Sequence, residues 1–131
     1  MKSIGNVPNS LKIWFLIHFI LDYLFAVPLI LFPSQFLKFL GWITIDNLSA
    51  RLIGSALIGI GGVSLLQNKS NLDSYNSLLT LKILWSIAAI ISILISISEG
   101  APEISWLILI IFLIFSSIWI YYKIKIKKII K

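Results

Sequence analysis

A chain of 131 residues with 59 % hydrophobic and 12 % charged side chains and a mean hydropathy of +1.01 has too little polar surface to cover a soluble globule, since ordinary domains run at roughly 45–50 % apolar and about 25 % charged. It reads as an integral membrane protein, short enough for residues 1–131 to make a single transmembrane domain. Cysteine is absent, which excludes disulfides, thiolate metal sites and thiol nucleophiles, and the net charge of +6 is concentrated after the last apolar run instead of forming a nucleic-acid surface.

Residues 1–10 are polar and end in Asn9 and Ser10, either of which suits a helix cap. The apolar run that follows is too long for a signal-peptide core and carries His18 and Asp22, so it is expected to be retained as a span. The first predicted helix covers residues 11–31, about 30 Å at 1.5 Å per residue. Pro28 falls near its far end, where a kink or termination costs little. Pro33 then opens SQFLKFLGWITID, in which Phe36, Leu37, Leu40 and Ile43 share a face and Lys38 lies off it. That piece is too short to span and is expected to lie in the membrane interface between the first two spans.

The second predicted helix covers residues 48–66 and belongs to the stretch NLSARLIGSALIGIGG, which carries the only arginine of the chain. Ala50, Gly54, Ser55, Gly59 and Gly62 recur there at three- and four-residue steps. Such a small-residue stripe lets another helix backbone approach closely in lipid, where apolar burial no longer drives association. The polar QNKSNLDSYNS is expected to be a water-exposed loop. Spans over residues 78–97 and 105–122 follow, separated by the tight turn Glu99–Glu103. The expected fold class is therefore all-α, an integral membrane four-helix bundle with one short interfacial segment.

Orientation follows from the basic residues, which collect on the cytoplasmic side. Lys2, Lys12, Lys69, Lys82, Lys123, Lys125, Lys127, Lys128 and Lys131 fall on the side of both termini, and only Lys38 and Arg51 on the other. A multi-pass cell-membrane protein with both termini cytoplasmic is expected. Trp14, Trp85 and Trp119 would lie towards the inner boundary, and Lys82 is expected to snorkel. Lys123, Lys125, Lys127 and Lys128 follow the last span directly, so anionic lipid headgroups are their simplest partner, and no nucleic acid is implied.

Three residues could carry chemistry. Asp22 lies near the bilayer midplane, where insertion costs about +2.5 to +3.5 kcal/mol on translocon scales, and His18 shares its face four residues earlier. The pair could relay a proton or hold a polar ligand, or it could be a buried hydrogen-bonded tie between helices. Arg51 could turn inward to join them in a pocket, reach Glu99 or Glu103, or anchor on phosphates. The glycines form no phosphate loop, because no strand precedes them and no Lys-Ser/Thr follows. A lone histidine makes a poor metal site, and no spacing indicates a nucleophilic triad. No cofactor is indicated.

At ARLIGSALIGIGG and the later LKILWS, the chain resembles the small four-helix prokaryotic membrane proteins grouped loosely as DoxX-like. These tend to place an Arg, then a Gly one turn later, at the start of the second span and a Gly-x-Gly further in, as Arg51, Gly54, Gly59 and Gly61 do here. The resemblance implies a four-helix membrane fold and supplies no catalytic residue. The first functional expectation is a non-enzymatic membrane component or accessory subunit, with a homo-oligomer or another membrane protein as partner. The alternatives are binding or transport of a lipid, a quinone-like molecule or a proton around Asp22, and, with least support, an intramembrane enzyme.

Overall fold

A computed structural model of the protein describes residues 5–131; Lys2, counted above for orientation, lies outside them. The described residues form five helices and no strand: α1 (Asn9–Leu31), α2 (Pro33–Phe39), α3 (Asn47–Leu66), α4 (Leu72–Ser98) and α5 (Ile104–Ile130). The fold is all-α, and α1, α3, α4 and α5 are each long and apolar enough to cross a membrane. By helix length and composition the chain is a multi-pass membrane protein. Helices suit it because each satisfies its own backbone groups without water.

Two helices are longer than the hydropathy pattern predicts. α4 starts at Leu72 instead of residue 78, because Asn71 caps it: the Asn71 side chain accepts from the Ser74 amide at 2.9 Å. Asp73 in the first turn adds a favourable charge at the positive end of the helix dipole. Most of the expected polar loop is thus helical, and the connection shrinks to residues 67–71. Trp85 is the central residue of the helix so extended. α5 continues through the lysine-rich segment to Ile130, with Lys127 and Lys128 in its last turn, where positive charge suits the dipole.

The helix ends show why the connections are tight. Gly41 (φ 103°) follows α2; its amide donates to the Lys38 carbonyl at 3.0 Å, and that of Trp42 to the Leu37 carbonyl at 2.9 Å. Gly100 (φ 92°) repeats this after α4, with the Gly100 amide on Ile97 at 3.1 Å and the Ala101 amide on Ser96 at 2.9 Å. Both are Schellman motifs, which need a left-handed residue that glycine supplies without strain. α3 is capped by Asp46, which accepts from the amides of Leu48 and Ser49 and from the Ser49 hydroxyl. The short α2 leaves Phe39 86 % and Ile43 94 % exposed, suiting the expected interfacial position.

The described residues divide into two compact units, one of residues 9–69 and the other of residues 70–131 with residues 5–8. In the first, α1 and α3 pack antiparallel: a Cβ built at Gly54 would lie 3.1 Å from the Ala26 carbonyl oxygen, and one at Gly61 would lie 2.7 Å from the Asp22 Cβ. The buried positions of α1 are Leu11, Phe15, His18, Asp22, Ala26 and Leu29; those of α3 are Ala50, Gly54, Gly61 and Ser64. Their spacing approximates the 3.5-residue recurrence of supercoiled helix pairs. In the second unit, α4 and α5 are also antiparallel, since Lys82 lies over Trp119 and Lys123 reaches back to Asn76 and Thr80.

Candidate functional site

The site grows from the buried face of α1. A four-residue step places His18 and Asp22 one above the other on that face, and both are only 7 % exposed. His18 Nδ1 lies 2.9 Å from Asp22 Oδ2. The contact has ion-pair distance without hydrogen-bond alignment, and Oδ2 is shielded from solvent. Asp22 stands thirteen residues from the start of α1 and nine from its end, so the pair sits near mid-span.

Gly61 makes room for that carboxyl group. A Cβ there would meet Asp22 Cβ at 2.7 Å, Oδ2 at 3.0 Å and Cγ at 3.3 Å. Only a residue without a side chain lets α3 lie over Asp22 at this separation. One position along, Tyr23 uses Gly62 similarly: its hydroxyl donates to the Ile58 carbonyl at 3.3 Å and would lie 2.9 Å from a Cβ at Gly62. Phe19 packs on the Tyr23 ring, centroids 4.5 Å apart. The two glycines therefore seat one acidic and one phenolic side chain against the α3 backbone.

The expected packing stripe is only partly the one that forms. Ala50 and Gly54 are buried, and Gly62 receives Tyr23. Ser55 and Gly59 are exposed instead. The Ser55 hydroxyl donates to the Arg51 carbonyl of its own helix at 2.9 Å, and nothing lies within 4 Å of a Cβ built at Gly59. Gly61 occupies the place expected of Gly59. The reason is the recurrence: counting 50, 54, 57, 61, 64 follows the face that meets α1, while counting from Ser55 to Gly59 and Gly62 drifts off it.

Nor does the structure bring Arg51 into the His18–Asp22 pair. Its Nε donates to the Ile30 carbonyl at 3.1 Å, eight residues along α1 from Asp22 and about 12 Å further on at 1.5 Å per residue. The engagement has a local cause. Ile30 lies in the last turn of α1, where carbonyls lack helical partners, and Pro33 starts a new helix immediately after. A guanidinium there supplies both a donor and a charge complementary to the helix C-terminus. Ser34 Oγ donating to Asn47 Oδ1 at 2.7 Å ties the start of α2 to the start of α3 beside it.

Sequence reasoning missed one buried charge. Lys82 was expected to snorkel, yet it is 2 % exposed, with Nζ 5.2 Å from the Trp119 ring centroid. The recurrence explains this: Leu72, Tyr75, Leu79, Lys82 and Ser86 are the buried positions of α4, so Lys82 lies on the face that meets Trp119 of α5. Counting by threes and fours from Leu72 would have placed it there. Among the described residues, no group of three or more His, Cys, Asp or Glu could hold a metal ion. No family model, no curated protein and no solved structure matches this chain.

Proposed function

We propose that the protein is a non-enzymatic component of the cell membrane, both termini cytoplasmic, that acts as an accessory subunit through helix contacts within the bilayer. The observation that carries this reading is the seating of Asp22: His18 contacts its carboxylate at 2.9 Å, and the α3 backbone at Gly61 closes over it. A carboxyl group packed this way fills the seam between α1 and α3 and leaves little space for a substrate beside it. The excess of lysines on the side of the termini supports the orientation. The DoxX-like resemblance suits the same reading, since it implies a four-helix membrane protein without a catalytic set.

A second reading, proton or small-ligand binding at Asp22, is favoured by Oδ2 itself, which is buried without an aligned hydrogen bond. Thermal stability of wild type, Asp22→Asn and Asp22→Leu, each with and without a native lipid extract, separates the two. A structural tie predicts that Asp22→Asn keeps most of the stability, because an amide still donates and accepts, and that the extract shifts all three proteins alike. Stabilisation of wild type that Asp22→Asn lacks would replace the first reading with the second.

A further inference from the structure

The far end of the α4–α5 pair carries a group of charges that the helix contacts around Asp22 do not use. Lys123, Lys125, Lys127, Lys128 and Lys131 fall within the last nine residues of the chain. Among the described residues, none of the five has a carboxylate within the 4.0 Å that defines an ion pair. Asp73, in the first turn of α4, is the acidic residue nearest this end along that helix. The positive charge is thus left for something outside the chain to balance.

The first of these lysines is held in place. Lys123 Nζ donates to the Asn76 carbonyl at 2.7 Å and to Thr80 Oγ1 at 2.5 Å. Both acceptors are neutral, so they orient the ammonium group without cancelling its charge. Lys127 stands one helical turn further on the same side of α5. On another side, Lys125 Nζ lies 5.8 Å from the Tyr121 ring and 5.9 Å from that of Tyr122.

Depth decides what meets these groups. From Ile104, the start of α5, to Lys123 is nineteen residues, about 28 Å along the axis, close to the roughly 30 Å thickness of a hydrocarbon core. Lys123 therefore stands where acyl chains give way to headgroups, and the lysines beyond it lie at phosphate level. Tyr121, 58 % exposed, occupies the level that interfacial aromatics prefer. Exposed Ile124, Ile129 and Ile130 alternate with the lysines, which suits a bilayer boundary better than a fully hydrated polyanion.

We propose that this end of the α4–α5 pair binds acidic phospholipid headgroups, with Lys123 and Lys127 contacting phosphate oxygens on one side of α5 and Lys125 and Lys128 on the other. The site recognises the anionic phosphodiester together with the membrane that carries it, so its occupant is a lipid in the bilayer.

The test is lipid selectivity of the full chain reconstituted in phosphatidylcholine bilayers that contain a minor fraction of phosphatidylglycerol. Spin-labelled phosphatidylglycerol and phosphatidylcholine are compared by the fraction each shows immobilised at the protein. Wild type should prefer phosphatidylglycerol several-fold at low salt, and the preference should shrink as salt screens it. Lys123→Gln/Lys127→Gln and Lys125→Gln/Lys128→Gln should each bring the ratio towards unity, while Lys38→Gln leaves it unchanged. Helicity by circular dichroism checks each variant. Should loss of the Lys123 contacts prevent folding, the Lys125/Lys128 pair, which spares them, decides alone. A wild-type protein that does not distinguish the two lipids, or a preference that survives in the folded double variants, overturns the proposal.

Discussion

Replacing Gly61 by alanine should separate α1 from α3, and the geometry sets the scale. The new methyl would lie 2.7 Å from Asp22 Cβ, against the 3.4–4 Å of an ordinary contact. The obstacle is a Cβ fixed to the α1 backbone and not the end of a mobile side chain, so rotation cannot relieve the clash. The helices must move apart by up to about 1 Å, and a gap of that size forfeits a quarter to a half of each dispersion well along the seam. Overpacking of this kind costs about 1–3 kcal/mol, while alanine returns up to about 1 kcal/mol of helix propensity over glycine. With the full return, Gly61→Ala should therefore lose about 0–2 kcal/mol net, and about 1–3 kcal/mol relative to an alanine that meets no obstacle. Gly59 supplies the internal control, because nothing lies within 4 Å of its Cβ position. Gly59→Ala should be neutral or gain up to about 1 kcal/mol. Thermal unfolding of both variants in one detergent, followed by circular dichroism, gives the comparison. If Gly61→Ala proves as stable as Gly59→Ala, the α1–α3 register described here is wrong.

Other consequences can be measured independently. Arg51→Met should strand the Ile30 carbonyl and cost about 1 kcal/mol in the same unfolding assay, because a partly exposed carbonyl recovers some hydration. Asp46 is held below the ordinary carboxylate value by the Ser49 hydroxyl first and then by the amides of Leu48 and Ser49. A depressed folded-state value means that this contribution is present above the unfolded pKa and is lost as pH falls through the folded one. Asp46→Asn should therefore narrow the difference in melting temperature between about pH 6 and about pH 3 relative to wild type, since unfolded Asp titrates near 4. For orientation, single cysteines placed in this cysteine-free chain at Ser70 and Ala101 should react with an impermeant thiol reagent in intact cells only at Ala101→Cys; labelling confined to Ser70→Cys would reverse the topology.

Spans, their number and the charged residues within them are legible in composition because lipid imposes simple demands. A span must be apolar, long enough and helical, and any acid within it, such as Asp22, stands out. The pairing of His18 with Asp22 was equally legible, being a local consequence of helical spacing. What hydropathy missed lies at the water boundary, where it falls before the helix does. Asn71 starts α4 within a polar stretch, and α5 continues through alternating lysines and isoleucines. Capping chemistry and the helix dipole, not apolarity, fix those ends.

The contact between helices was harder to read because it depends on which recurrence is counted. Small residues occur at 49, 50, 54, 55, 56, 59, 61, 62 and 64, so α3 presents small side chains in several directions, and composition alone does not choose among them. The choice comes from the other helix. The buried positions of α1 from Leu11 to Leu29 advance by threes and fours, and an antiparallel partner in register must do the same, which selects Ala50, Gly54, Gly61 and Ser64. Asp22 then falls opposite Gly61 and Tyr23 beside Gly62, while Gly59 is left facing outward. The same register determines where Arg51 goes. With Ala26 against Gly54, a residue three positions earlier on α3 lies level with the end of α1, beyond reach of the midplane. Its contact with Ile30 is thus a consequence of the seam that encloses Asp22, and a substitution that shifts this seam should disturb both.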